Sequence, residues 1–189
     1  MIKDLILKNR SYRRFFQDVT IDMETLRDLV DLARQSASLG NQQPLKYILS
    51  CTPEKNASIF QNLGWAAYFK DWGGPPEGEK PSAYIVVLGD KNINPSINCD
   101  HGIAIQSILL GAVEKGLGGC ILASIKRDPL RQELNIDPSY EILLVVALGK
   151  PKEKVVLDPL GADGNFRYWR DEQGVHHVPK RSLDEIIVG

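Results

Sequence analysis

The chain is poor in the residues that usually announce side-chain catalysis. Among 189 residues there are three cysteines, three histidines and 7% aromatic side chains. Cys51, Cys99 and Cys120 are odd in number, widely spaced and free of any Cys-x-x-Cys pair. They read as buried small hydrophobes in a reducing, cytoplasmic setting, not as a disulfide framework. His176 and His177 are adjacent in a predicted strand and so point to opposite faces, with His101 remote from both. That arrangement argues against a zinc site, and no metal is expected. No apolar run approaches the roughly 20 residues of a membrane span. The start, Met1-Ile2-Lys3-Asp4, lacks the charged leader and apolar block of a signal peptide. An excess of one charge is also missing: 23 Lys and Arg balance 24 Asp and Glu, for a net charge of -1. A nucleic-acid binder would need a basic face throughout, so that class of partner is not expected.

Familiar nucleotide and nucleophile motifs are absent as well. Gly116-x-Gly118 follows a predicted helix rather than a strand, and Ile121 stands where the third glycine of a dinucleotide fingerprint belongs. There is no Gly-Lys-Ser or Gly-Lys-Thr of a phosphate-binding loop and no Gly-x-Ser-x-Gly elbow. No nucleophile–base pair stands out, so no catalytic side chain is assigned.

With 43% hydrophobic residues, the chain can bury one substantial core and shows no linker dividing two domains. Hydrophobic periodicity predicts helices over Ile2 to Leu7, from Asp22 to Ser36, over Asn56 to Leu63, from Asn98 or Asp100 to about Lys115, over Asp128 to Leu134 and over Ser182 to Val188. Strands are predicted at Tyr47 to Cys51, Ala83 to Leu88 and Glu141 to Leu148, with a hairpin joining 166–170 to 175–178. The helix ending near Lys115 is apolar around most of its circumference, with Ile103, Ala104, Ile105, Ile108, Leu109, Leu110, Ala112 and Val113. Such a helix must be covered on nearly all sides, which predicts a homodimer. Between Gly64 and Pro81, Trp65, Tyr68, Phe69 and Trp72 precede Gly73-Gly74-Pro75-Pro76. Two readings fit this stretch: a lid with an apolar underside, or an irregular loop whose aromatics complete the core.

The chemistry that is present lies in polar and basic loops. Arg10-Ser11-Tyr12-Arg13-Arg14-Phe15 crowds three guanidinium groups and a hydroxyl into five positions. Alone it reads as a solvated basic turn; as a site it suits an anion, because guanidinium forks match phosphate oxygens. The loop Ser38-Leu39-Gly40-Asn41-Gln42-Gln43, the glycine turn 116–119 and Lys180-Arg181 complete the set. Together they suit a phosphorylated cofactor with a hydrogen-bonding ring. Amides and backbone N–H groups would read the ring, and the cations would hold the phosphate.

The order of four segments then carries a family resemblance. Asn9-Arg10-Ser11-Tyr12-Arg13-Arg14-Phe15, the stretch from Ser36 to Pro44, Gly116-Leu117-Gly118-Gly119 and Ala147-Leu148-Gly149-Lys150-Pro151 resemble the successive motifs of the FMN-dependent nitroreductase family, from Leu5 to Arg181. The resemblance implies one α+β domain over residues 1–189, a three-layer α/β/α sandwich with a mostly antiparallel central sheet, in an intertwined homodimer. It implies that FMN is held with Arg10, Ser11 and Arg13 on its phosphate, Ser38, Leu39 and Asn41 at its ring from the other subunit, and Gln43 nearby. Gly118 and Gly119 would supply backbone at the flavin, and Lys180 or Arg181 would return to the phosphate. NADH or NADPH would reduce the flavin at N5, and a nitroaromatic, a quinone or a similar small acceptor would be reduced in turn, with Trp65, Tyr68 or Trp72 covering the substrate. Non-catalytic flavin storage or redox sensing shares every one of these motifs. Two positions depart from the family pattern: Asn9 where many relatives carry a second cation, and Ala37 where many carry proline. Losing one partly exposed cation costs about 1 kcal/mol of phosphate affinity.

Overall fold

A computed structural model describes residues 1–69 and 71–189. Helix α1 (Ile2–Lys8) leads into the short strand β1 (Phe15–Phe16). Helix α2 (Met23–Gln35) follows, capped by Asp22, whose carboxylate accepts the Thr25 N–H at 2.7 Å. A single 3₁₀ turn, Leu39–Asn41, precedes strand β2 (Leu45–Ser50) and helix α3 (Pro53–Phe60). Pro53 sits in the first turn of α3, so the helix begins three residues before its hydrophobic pattern does.

Strand β3 (Ala83–Asp90) is buried along its entire length, and helix α4 (Asp100–Glu114) follows it. Gly116 closes the turn after α4 in the left-handed region, at φ +72. The chain is already extended at Gly118, where strand β4 (Gly118–Leu122) begins, so the predicted glycine turn is half its expected length. Helix α5 (Arg127–Glu133) and the long strand β5 (Tyr140–Pro151) complete the main layers.

The central sheet runs β2-β3-β5-β1, with β4 also on β5, and every pairing in it is antiparallel. The period of two along β3 assigns the two faces. Ala83, Ile85 and Val87 meet Leu26 and Leu29 of α2 and Ile105 and Ile108 of α4. Tyr84, Val86 and Leu88 meet Ile59 of α3 and Leu130 of α5. Helices therefore cover both faces, which is the expected three-layer α/β/α arrangement.

A second, small sheet comes from β6 (Val155–Pro159), β7 (Trp169–Arg170) and β8 (His176–Lys180), in the order β6-β8-β7. The predicted hairpin is present as the antiparallel β7–β8 pair, although shorter than its alternation suggests. Strand β6 joins β8 in parallel and had no sequence signal, since two of its five residues are Asp158 and Pro159. A last turn of helix, α6 (Leu183–Ile186), precedes an exposed tail.

One expectation is corrected here. Cys120 is buried, but Cys51 is half-buried and Cys99, immediately before α4, is exposed. Within α4, Ala104, Ile105, Ile108, Leu109 and Ala112 are buried, while Ile103 remains 38% exposed and Leu110 and Val113 are half-buried. The chain's own layers thus cover one side of this apolar helix and leave the other open.

Candidate functional site

After α1 the chain extends along the edge of β4. Ser11 forms a parallel bridge with Gly119, and the Tyr12 N–H donates to the Gly119 carbonyl at 3.0 Å. The Arg14 carbonyl accepts from the Lys152 N–H at 2.9 Å. Extended backbone turns alternate side chains to opposite sides, and that alternation sorts the arginines. Tyr12 packs over Gly118, where a Cβ would lie 2.5 Å from its ring, so this glycine serves the chain's own packing. Arg14 turns the same way and forks onto Glu79, with Nη2 2.7 Å from Oε1, while Lys152 Nζ lies 3.1 Å from the same oxygen.

The Arg14 hydrogen bonds, aided by Lys152, hold the Glu79 carboxyl down at about 2, against an ordinary 4.5. A carboxyl depressed in the fold contributes stability that is present above its unfolded value and lost as the pH falls through the folded one. Thermal melts from neutral pH down to about pH 2 should therefore lose stability more steeply in the native protein than in Glu79→Gln. Parallel slopes would mean that this ion cluster is too well solvated to matter.

Ser11 and Arg13 face the other way, into a cleft of about 300 Å³ that Gln106, Gly119, Tyr168, His176 and Lys180 also line. Arg10 precedes the extended stretch and is not placed by its alternation, but it reaches the same cleft. Arg10 Nη2 donates to the Ile6 carbonyl at 2.7 Å, which satisfies the end of α1 and leaves its Nε buried without a partner. Arg13 lays its guanidinium 4.7 Å from the Tyr168 ring centre, and its Nε is also buried without a partner. Among the described residues, none of Arg10, Arg13 and Lys180 forms an ion pair, although Arg14, Lys152, Arg170 and Arg181 all do. Three uncompensated cations around one concavity make a site for a polyanionic group.

The far wall is built by the small sheet. Along β8, alternation sends His176, Val178 and Lys180 into the cleft and His177 away from it. His177 instead stacks on Trp169 at 4.1 Å and faces Asp158 at 2.7 Å and Asp171 at 3.2 Å. Its hydrogen bonds to Asp158, and then to Asp171, raise its proton affinity. The expectation of opposite faces for the two histidines holds. Of the two C-terminal cations, Lys180 reaches the cleft, and Arg181 is exposed beside Glu185.

A buried carboxylate underlies this wall. The Glu153 side chain is 1% exposed, accepts from the Arg13 N–H through Oε1 and from Arg170 Nη2 at 2.9 Å through Oε2, and lies 3.7 Å from His176 Nδ1. Burial works against its ionisation, but the neighbouring His176 ring, the Arg13 N–H and the Arg170 charge together outweigh it and hold the carboxyl below its usual range.

The remaining expected residues lie elsewhere. Ser38 donates to Asp100, the Leu39 N–H reaches the same carboxylate at 3.0 Å, and the Gln43 N–H donates to Ser38 Oγ at 2.9 Å. Gly40, Asn41 and Gln43 all adopt the left-handed conformation, at φ +58, +54 and +54. Asn41 and Gln43 are thus held in a backbone form that costs non-glycine residues energy and persists only where neighbours enforce it. This loop shares no lining residue with the cleft. Trp65, expected over the substrate, is instead core: it is 8% exposed, packed on Phe60 and against Gly74. Trp72 is half-buried under Arg170, 4.7 Å away. Tyr68, 43% exposed, is the member nearest the cleft, through its 4.8 Å contact with Tyr168. Tyr168, His176, Gln106 and Val178 had no motif to mark them; the one available signal was the spacing of His176, Val178 and Lys180 on a common strand face.

Fold and sequence are both similar to one class of protein. The model of the nitroreductase family matches residues 78–150, and the layers described above are the nitroreductase fold. Among particular solved structures, an FMN-dependent nitroreductase from Clostridium difficile superposes with a TM-score of 0.67 at 24% identity, covering 82% of this chain and 89% of that one. A nitroreductase family protein from Streptococcus pneumoniae gives 0.72 at 16% identity over 100% of both chains. An NADPH:FMN oxidoreductase from Vibrio harveyi, solved with NAD+, gives 0.65 at 23% identity, covering 85% and 74%.

Proposed function

We propose that residues 1–189 form one FMN-binding domain that oxidises NADH or NADPH and reduces a nitroaromatic, a quinone or a similar small acceptor. One observation carries this reading: Arg10, Arg13 and Lys180 converge without carboxylate partners on a single cleft, and two of their guanidinium nitrogens are buried with nothing to bond. Buried unsatisfied donors are costly, and a phosphate would satisfy both at once. The residues present therefore fit the phosphate end of FMN. Arg10, Ser11 and Arg13 would hold it from one side and Lys180 from the other. When bound, FMN supplies the hydride chemistry at its N5, so no protein side chain is assigned that step.

The protein's own part is to bind, orient and exclude water. Gly119 lines the cleft with backbone, its missing side chain making room for Leu109 and Leu148 behind it, and Tyr168 forms an aromatic wall beside it. Ser38, Leu39, Asn41 and Gln43 form a pre-shaped loop outside the cleft of their own chain, which suits supply from a second subunit. A homodimer would also cover the open side of α4 and the exposed Ile2, Ile6 and Leu7 of α1. Trp65 and Trp72 serve in this reading as fixed packing, not as a lid, because Trp65 is packed on Phe60 and Trp72 lies under Arg170.

The test is direct. Protein stripped of flavin and titrated with FMN should become yellow at one FMN per chain and sediment as a dimer. It should then oxidise NADH or NADPH rapidly when a quinone is supplied. Binding without turnover would favour storage or redox sensing, and failure to bind FMN would remove the proposal.

A further inference from the structure

Two buried carboxylates decide which cations of the N-terminal cluster stay free. Glu79 takes Arg14 and Lys152. Glu153 is closer to the cleft, since it accepts the backbone N–H of Arg13, the residue whose guanidinium the cleft needs. An unneutralised carboxylate there would capture that flexible guanidinium, because opposite charges in a partly dry site attract far more strongly than in water. Arg170 occupies Glu153 instead, at 2.9 Å. Its guanidinium is fixed between two aromatic rings, 4.8 Å from Phe69 and 4.7 Å from Trp72, and so cannot swing into the cleft itself. Arg13 meanwhile rests on Tyr168, with no carboxylate partner.

We propose that Arg170 is a positioning residue for the anion cleft: by neutralising Glu153 it keeps that carboxylate from claiming Arg13, and so leaves Arg13 free to bind a phosphate group. The segment holding Phe69 and Trp72 thereby acts on cofactor affinity without touching the cofactor.

The inference rests on the FMN reading, and the experiment separates the two. Affinities of flavin-stripped native protein, Arg170→Met, Glu153→Gln and the double variant are measured for FMN, for riboflavin and for inorganic pyrophosphate. Methionine keeps most of the arginine stem's packing against the rings. Arg170→Met should bind FMN and pyrophosphate roughly tenfold more weakly, the effect of losing about one charge-assisted contact, with riboflavin unchanged. Removing the carboxylate as well should bring the double variant back to within about threefold of native, and Glu153→Gln alone should bind FMN at least as well as native. A merely structural role predicts the opposite: both single changes weaken FMN and riboflavin alike, and the double variant is worst. That pattern overturns the inference. If Arg170→Met does not fold, Glu153→Gln decides alone, since a tenfold loss there contradicts the proposal. Native protein that binds pyrophosphate but not FMN would defeat the flavin reading and leave the pyrophosphate comparison to judge Arg170. Binding of neither would defeat both.

Discussion

Arg13→Ala is expected to weaken FMN binding by roughly 10- to 100-fold, because hydrogen bonds to a charged group are worth about 1.5–3 kcal/mol each. Riboflavin, which lacks the phosphate, should bind Arg13→Ala as it binds native protein. Arg14→Ala is the matched control. It removes a neighbouring guanidinium of the same cluster, but that group is committed to Glu79 on the other side of the extended strand. FMN affinity should therefore stay within about twofold, and only stability should fall. Fluorescence titration of the flavin against each variant reads the difference. Equal losses from Arg13→Ala and Arg14→Ala would mean that the cluster acts through general charge, and the assignment of separate faces would be lost.

The largest effect on stability is expected at Phe15. Its side chain is 0% exposed, and a Cβ on Gly149 would sit 2.7 Å from its ring, so the ring occupies a slot that the glycine leaves open. Phe15→Ala should cost about 3–5 kcal/mol, since the cavity is enclosed by strands that cannot collapse into it. For a chain of this length that corresponds to a fall in Tm of roughly 6–20 °C. Because Phe15 anchors the end of the arginine loop, its loss should also weaken FMN binding, so FMN should restore less of the lost stability here than in a variant with a distant core cavity. A melting point within about three degrees of native would show that the slot closes on itself.

Much of the layered framework was legible in the residues. The unbroken apolar run of β3 and the amphipathic face of α2 are local patterns, and local patterns survive folding because backbone geometry dictates them. The start of α3 and the whole of β6 were missed for two different reasons. Proline in the first turn of α3 is itself a helix-start signal that hydrophobic periodicity alone does not register, whereas a strand that includes Asp158 and Pro159 owes its form to neighbours, not to propensity. Trp65 shows the limit most plainly. A tryptophan ahead of a glycine–proline run suits a lid or a core equally, and only the position of Phe60 and Gly74 places it inside.

The sequence by itself determined the fold class, the family resemblance and the choice of the Arg10–Arg13 cluster as the residues to watch, since motif order and periodicity are properties of the chain. Tertiary structure alone decided which cations remain free. Charge in a sequence is a count, but charge at a site is what remains after each carboxylate has taken its partner. Glu79 and Glu153 are far from the arginines in sequence and beside them in space, and they remove Arg14 and Arg170 from the balance. Arg10, Arg13 and Lys180 are what is left.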